Sequence, residues 1–339
     1  TINHLYEKVK EIIQSRFPNN LTELQKLKEF KELTKEIRIL QCDQIQKWTS
    51  VVWNDFLDEW NNLPLEKIIE IRNCCIWSEE FYDLNTSLEI AKTLLWYQFR
   101  SRNKCKCFMK CVYATLNKVF MKQNALAIFG DPGSGKTYFI TVIKKLIWNS
   151  GHIESHINKT SNFPFKNMYN KRIAIINEMN ISQSSVQVVK EILEGKDVCI
   201  PIKYKSRQTL RRIPIFITTN NFFLNDFTAS EREAFKQRMF VFYWTPQPWL
   251  KRFNKDLHPM VLPLLYKDDF KIIKAPHKIK IPNEKIETRN AEYKVCNNYT
   301  EVESDSSEAE IDEEDSDSSD EEMEEEEDNN DQEMDEAIS

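Results

Sequence analysis

One stretch of the chain, residues 124–141, restricts the possible folds more than any other. Four apolar residues, 126–129, predict a buried strand, and the apolar positions between 138 and 148 predict a helix. Between them lies the pattern G-x-x-x-x-G-K-T, which contains three of the five glycines in the chain. A strand, a glycine loop and a helix in this order predict an α/β domain whose loop turns backbone N–H groups towards a phosphate.

The residues of this loop have predicted roles in holding a nucleoside triphosphate. Lys136 would reach the β- and γ-phosphates, and the Thr137 hydroxyl would ligate Mg²⁺. The predicted nucleotide-binding residues are Gly130, Asp131, Pro132, Gly133, Ser134, Gly135, Lys136 and Thr137. The positive end of the following helix would add to the attraction for phosphate.

The charge of the chain is divided between a basic body and an acidic tail. Residues 301–339 contain 22 of the 53 acidic residues and no Lys or Arg. Residues 1–300 therefore hold 47 basic and 31 acidic residues, a net charge of +16. A basic body is typical of nucleic-acid-binding proteins, although it also suits other polyanions or a solvated surface. The tail has almost no large apolar residues, so we expect it to be disordered.

Two later strand patterns end in polar residues that suit the same site. An apolar run at 173–176 leads to Glu178, and another at 213–219 leads to Asn220. Ligands of open α/β sheets bind at the carboxyl ends of the strands. Glu178 would polarise the attacking water and help to hold the Mg²⁺ shell, and Asn220 would hold that water or sense the γ-phosphate.

A strand, a basic turn and a strand are predicted between residues 198 and 219. The turn holds Lys203, Lys205 and Arg207, which are placed to contact DNA phosphates without reading sequence. A solvated charged loop is the alternative interpretation. A further apolar strand is predicted over residues 234–244, with Arg238 at its start.

The chain divides into five predicted regions. The first 120 residues contain no glycine and have apolar residues at helical spacing, which predicts an all-helical start. We expect a helical N-terminal region at 1–84, a helical segment leading into the core at 85–122, the α/β core at 123–250, a Pro-rich basic arm at 251–300 and the acidic tail at 301–339. No apolar run is long enough to predict a membrane span.

Taken together, the motifs resemble the superfamily 3 helicase domain of the parvovirus large non-structural replication initiator. The insect densoviruses and bidnaviruses are the most similar members. The segments that carry the resemblance are 130–137, 162–165, 173–178, 195–205, 214–220 and 237–240. The resemblance covers roughly residues 85–250 and implies an AAA+-type P-loop core with a central, mostly parallel sheet.

The resemblance also implies an activity and partners. It implies an ATPase that uses ATP and Mg²⁺ and assembles with itself into a ring, commonly a hexamer. In that family the hairpin lysines, here Lys203 and Lys205, grip single-stranded DNA, Asn220 is the polar sensor, and Arg238 is an arginine finger supplied across the subunit interface. The implied function is an ATP-dependent DNA helicase that replicates an insect single-stranded-DNA virus in the host nucleus, with the replication origin and, through the tail, host factors as partners.

Two departures from the family pattern leave alternatives open. Asn177 precedes Glu178 where many relatives have a second acid, so Mg²⁺ coordination would depend on Thr137 and water. The sequence contains no His-hydrophobe-His motif, so we do not assign a nicking activity to this chain. The alternative function is a nucleotide-gated DNA-binding or transactivating module with an acidic recruitment tail. A further alternative is that the sequence is a decayed copy of a viral gene integrated in an insect genome.

Overall fold

A computed structural model describes residues 2–35, 42–157, 164–200, 207–221, 224 and 227–270. Within these ranges the chain before the first strand is helical, as its glycine-free sequence predicts. The helices are α1 (Ile2–Arg16), α2 (Leu21–Lys26), α3 (Lys28–Lys35), α4 (Cys42–Asn62), α5 (Leu65–Asn73), α6 (Leu84–Phe99) and α7 (Arg102–Leu116). Pro18 and Pro64 lie at breaks between helices, since proline is disfavoured in a helix interior. None of the helices described here is long and apolar enough to cross a membrane.

The second half of the described chain is an α/β domain around a parallel sheet. Its elements are β1 (Ala125–Phe129), α8 (Lys136–Ile147), β2 (Ser150–Ile153), β3 (His156–Ile157), β4 (Ile173–Asn177), β5 (Asn180–Ile181), α9 (Val186–Glu194), β6 (Val198–Ile200), β7 (Gln208–Leu210), β8 (Ile215–Thr219), α10 (Ala229–Lys236), β9 (Met239–Tyr243) and α11 (Val261–Tyr266). Short 3₁₀ turns lie at 166–168, 183–185 and 248–252. The α/β class, the central sheet and the helical start are therefore confirmed.

The main sheet has five strands in the order β2-β4-β8-β1-β9, and every neighbouring pair is parallel. The register aligns Ala125 with both Ile215 and Met239, so the strands begin at one edge and end at the other. We call these the amino edge and the carboxyl edge of the sheet. Strand β8 lies between β4 and β1 and is parallel to both. The carboxyl ends of these three strands are therefore neighbours at the carboxyl edge.

Alternate residues of the strands face two apolar cores. On one side, Leu126 and Ile128 of β1 pack with α6, α7, α8 and α11. On the other side, Ala125, Ala127 and Phe129 pack with α9 and α10. Strands buried on both faces are typical of parallel sheets covered by helices, which explains the continuous apolar runs in the sequence.

An aromatic cluster joins the N-terminal helices to the end of α8. Trp60 is almost fully buried, and its ring lies 5.1 Å from that of Phe17 and 5.8 Å from that of Trp148, centroid to centroid. Its Nε1 donates a hydrogen bond of 3.0 Å to the carbonyl oxygen of Ile147. The stretch from Trp48 to Trp60 is thus part of α4, and Trp60 contributes to the core.

Two predicted elements differ from the structure. Residues 234–236 are the end of helix α10 and not the beginning of a strand, which starts at Met239. Thr228 is the N-cap of this helix, and its side chain and that of Glu231 form a reciprocal capping box. The polar sequence around Gly151 predicts a connection rather than a strand, but residues 150–153 form β2, in which only Gly151 and Ile153 are buried.

The start of the expected basic arm packs into the core. Val261, Leu262, Leu265 and Phe270 are fully buried and lie in the same apolar cluster as the N-terminal helices. The six prolines between 245 and 300 predict a loosely packed arm, but the apolar residues of α11 pack against α6, α7 and α8. Residues 271–300 of the arm and the tail 301–339 lie outside the described residues.

Candidate functional site

The glycine loop runs from the end of β1 to the beginning of α8, as its sequence predicts. Gly130 has φ +147°, and a Cβ atom there would lie 1.9 Å from the carbonyl oxygen of Trp244. Gly135 is the N-cap of α8 with φ +88°, a conformation that side chains other than glycine rarely adopt. The loop can therefore approach its neighbours only because these positions lack side chains.

Lys136 is buried at the start of α8, and its ammonium group bends over the loop. Its Nζ donates to the carbonyl oxygens of Gly130 (2.6 Å) and Asp131 (3.0 Å) and to the Ser134 hydroxyl (3.0 Å). It also lies 3.2 Å from Oδ1 of Asn220. Burial lowers the pKa of Lys136, while the charges of Glu178 and Asp131 oppose this shift. The loop thus holds a positive charge where a phosphate would bind.

Glu178 and Asn220 lie together at the carboxyl edge. Oε2 of Glu178 accepts hydrogen bonds from the backbone N–H of Asn220 (3.0 Å) and the Thr219 hydroxyl (3.3 Å). The backbone of Glu178 has φ +52°, which is strained for a residue with a side chain, and its N–H donates to Thr218 O at 2.7 Å. Strained backbone of this kind is concentrated at functional sites.

The side chain of Asn177 is hydrogen-bonded to a neighbouring strand. Its Oδ1 accepts a hydrogen bond of 2.7 Å from the hydroxyl of Thr218 on β8. The position before Glu178 thus carries no charge in this chain. The hydroxyl of Thr137 and the carboxylate of Glu178, both exposed, are oxygen ligands of the kind that Mg²⁺ prefers, and they fit the expected metal.

Arg238 lies at the opposite edge of the sheet. It precedes Met239 of β9, and its carbonyl oxygen accepts a hydrogen bond from the N–H of Asn124, which precedes β1. The guanidinium group forms an ion pair with Glu194, with Nη2 2.9 Å from Oε2, and Nη1 donates to the carbonyl oxygen of Ala234. The fold does not bring Arg238 to the glycine loop of the same chain.

The predicted basic hairpin is described only in its stem. Strands β6 and β7 pair antiparallel, with Val198 opposite Leu210 and Ile200 opposite Gln208. Arg207 is exposed at the start of the second strand. Lys203 and Lys205 lie outside the described residues, as do residues 162 and 163 of another motif.

Several residues at the loop were not identified from the sequence. Nε2 of Gln98 on α6 donates to Ser134 O (3.0 Å) and Thr245 O (2.9 Å), and its Oε1 accepts from Thr245 N (2.7 Å). The N–H of Gln247 donates to Gly133 O at 3.0 Å. These bonds attach the loop to the segment after β9. No local pattern marks them, because Gln98 and Thr245 are 147 positions apart in sequence.

A cavity of about 380 Å³ opens between the loop and the segment after β9. Its wall outside the loop consists mainly of Tyr138, Pro246, Pro248, Leu250, Lys251 and Phe253. The sequence showed prolines here, but only the packing turns them towards the loop. An apolar wall beside a phosphate loop could cover the flat face of a nucleotide base.

The central part of the chain is similar to a known protein family. Residues 103–247 match the family model of parvovirus non-structural protein NS1. The resemblance to the parvovirus NS1 family is confirmed.

Two NS1 relatives come from insect viruses. The chain is 28% identical over 188 residues to the initiator protein NS1 of Bombyx mori densovirus, a match that covers 53% of this chain and 20% of the relative. It is also 28% identical over 191 residues to the initiator protein NS1 of Diatraea saccharalis densovirus, covering 56% of this chain and 34% of the relative. The matched segment thus spans about a third or less of the length of these curated relatives.

The fold is also found in a solved structure. The X-ray structure of JCV helicase superimposes with a TM-score of 0.51 at 11% identity, covering 77% of this chain and 85% of that one. At this identity the similarity shows the fold alone. The NS1-matched segment contains the glycine loop, Glu178, Asn220 and Arg238, whereas Gln98 and the cavity residues after 247 lie outside it.

Proposed function

We propose that this chain is an ATP-dependent DNA helicase of superfamily 3 that acts in replication of an insect single-stranded-DNA virus. The observation that carries the proposal is the grouping of Lys136, Glu178 and Asn220 at the carboxyl edge of the sheet. A buried cation, a carboxylate and an amide at the end of a glycine loop suit hydrolysis of the bond between the β- and γ-phosphates. The NS1 match over residues 103–247 supports the same assignment.

Each residue has a distinct role in the proposed reaction. Lys136 exchanges its loop acceptors for β- and γ-phosphate oxygens and stabilises the charge that develops there. Glu178 accepts the proton of the attacking water, and Asn220 orients that water. Thr137 and Glu178 would hold Mg²⁺, which neutralises phosphate charge when bound.

The proposal includes a ring in which neighbouring protomers share each ATP. Arg238 lies at the amino edge, away from the glycine loop of its own chain, so its proposed role as the arginine finger requires a second copy. Lys203 and Lys205 would grip single-stranded DNA in the channel, assisted by Arg207. The hexameric state, the origin, host factors that bind the acidic tail, and the host nucleus as the site of action are parts of the same proposal.

Steady-state ATP hydrolysis with and without single-stranded DNA tests this function. The wild type should hydrolyse ATP faster with DNA, and Lys136→Ala should lower kcat by about 10²–10³ because a group that stabilises the developing charge is lost. Lys144→Ala is the matched control, since Lys144 is an exposed lysine on the same helix. ATP binding without hydrolysis by the wild type would contradict the helicase and favour a nucleotide-gated DNA-binding module.

A further inference from the structure

A basic cleft of about 540 Å³ lies at the amino edge of the sheet, opposite the glycine loop. Four parts of the chain form it: the end of α4, the turn after α7, the turn before β4, and β7 with the turn that follows. The cations that line it are Lys118, Lys171, Arg207, Arg211 and Arg212, and Asp58 is the one carboxylate among the lining residues. We propose that this cleft binds the phosphodiester backbone of single-stranded DNA.

Among the described residues, the cations of the cleft have no ion-pair partner. Within the described ranges, none of the five is within ion-pair distance of a carboxylate. Lys171 donates to Oδ1 of Asn149 (3.0 Å), and Arg212 donates to Oδ1 of Asn124 (3.0 Å). Neutral acceptors therefore fix the position of two cations and leave their charge uncompensated, which creates a positive potential in the cleft.

A buried arginine behind the cleft adds to this charge. Arg172 is only 5% exposed, and its Nε and Nη1 have no hydrogen-bond partner in the described part of the chain. Together with burial, the charges of Arg172 and Arg212 lower the pKa of Lys118 to about 8. Buried guanidinium nitrogens that lack a partner are uncommon in native structures, and a bound anion in the cleft would offset the charge of Arg172.

The walls of the cleft are ordered by amide side chains. Asn61 donates to Oδ1 of Asn170 (2.9 Å) and accepts from Nδ2 of Asn149 (2.7 Å), which connects α4 to the turn before β4. Donors held in place before binding lose less conformational entropy when a ligand arrives. The cleft thus presents fixed cations and polar groups that can bind phosphates. Contacts of this kind do not distinguish one DNA sequence from another.

The position of the cleft indicates a strand of DNA rather than a free anion. Strand β7 begins three residues after Lys205 in the sequence, and Arg207 and Arg211 on either side of this strand line the cleft. Single-stranded DNA that is bound by Lys203 and Lys205 would therefore continue into the cleft. This inference rests on the proposed DNA-handling function and extends its contact surface beyond the hairpin.

Fluorescence anisotropy of labelled single-stranded DNA across a salt series tests the cleft in the full chain. Removing two phosphate contacts with Lys118→Gln/Arg211→Gln should lower the slope of log K against log salt by about 1.4. If the affinities converge at 1 M salt, this weakens binding about 25-fold at 0.1 M. Lys26→Gln/Lys31→Gln removes the same charge from exposed positions on α2 and α3, and its slope should match the wild type.

Two further variants change exposed residues of the cleft. Arg211 is exposed, so Arg211→Glu should leave the fold intact and weaken binding of the single strand. Asp58→Asn removes the carboxylate and should tighten binding. An unchanged Kd in Arg211→Glu, or weaker binding in Asp58→Asn, would overturn the cleft.

The outcomes separate the cleft from the hairpin and from other ligands. If Lys203→Ala/Lys205→Ala weakens binding but the cleft variants do not, the proposed role of the cleft is contradicted and the proposed helicase function is not. If the wild type binds no single strand, both fail. Loss of affinity only for duplex DNA, or only for an acidic peptide with the sequence of residues 301–327, would also overturn the assignment.

Discussion

The two edges of the parallel sheet hold their charged side chains in different ways. At the carboxyl edge, the hydrogen-bond partners of Lys136 in the described part of the chain are neutral oxygens of the loop and of Asn220, and Glu178 accepts bonds from neutral donors. At the amino edge, Arg238 is paired with Glu194, and Arg212 is bound by the amide of Asn124 and nearby carbonyl groups.

This difference indicates that the two edges have different roles. The carboxyl edge keeps a cation and an acid at one strand end without neutralising them, which suits a site that receives a charged ligand. The amino edge contributes contacts that hold the domain together, among them the pairing of Arg238 with Glu194, and the basic cleft. A functional ring would place the amino edge of one protomer beside the carboxyl edge of the next.

Removing the acid at the carboxyl edge should strongly lower turnover. Glu178→Gln keeps the hydrogen-bond acceptor but not the base, so kcat for ATP should fall by about 10²–10⁴ while ATP affinity changes little. Glu79→Gln, an exposed acid before α6, is the control. Turnover in Glu178→Gln within twofold of the wild type would remove Glu178 from the reaction.

A change near the amino edge should affect stability instead. Trp60→Ala removes a buried ring from the cluster with Phe17 and Trp148, and the hydrogen bond to Ile147, so the free energy of unfolding should fall by about 3–5 kcal/mol. Trp53→Ala, at a half-buried ring 5.9 Å from that of Trp148, should cost less. Urea unfolding measures both, and equal losses would contradict the central place of Trp60.

The smallest predicted effect concerns Lys118 and pH. Its pKa in the folded chain is about 8, below its ordinary value of 10.5, because of burial and the charges of Arg172 and Arg212. Between these values the unfolded chain binds the extra proton, so stability rises with pH there, and the full penalty is present below pH 8.

Lys118→Gln should therefore raise Tm at pH 7, and the gain should shrink as pH approaches 10. Lys144→Gln, at an exposed lysine, is the control for general charge effects. A gain that is constant across this range would contradict the lowered pKa of Lys118.

The sequence identified the carboxyl edge better than the amino edge. The glycine loop, Glu178 and Asn220 each follow an apolar strand pattern, and parallel strands bring such ends together. The position of β8 between β1 and β4 is not encoded in any local pattern, and only the fold shows why Asn220 reaches Lys136.

The contacts that were missed connect distant parts of the chain. Gln98 holds the loop to Thr245, and Glu194 pairs with Arg238 from 44 positions away. Helix α10 was missed although its capping box was present at Thr228 and Glu231, because the apolar run after Arg238 dominated the pattern. The basic cleft gathers four separate segments, so charge counting indicated a basic body but not its shape.

Subunit mixing tests the central claim, that each ATP site joins the carboxyl edge of one protomer to the amino edge of another. The Lys136→Ala and Arg238→Ala variants should each be nearly inactive alone. In Arg238→Ala, kcat should fall by about 10³–10⁵ while ATP binding is retained. Arg102→Ala, at an exposed arginine on α7, is the control for loss of charge.

In an equimolar mixture assembled before ATP is added, Lys136 of one variant can meet Arg238 of the other. Random assembly makes roughly a quarter of the interfaces complete, so hydrolysis should reappear at a level well above the sum of the two variants alone. A mixture no more active than that sum would contradict a shared site and leave Arg238 with a structural role beside Glu194.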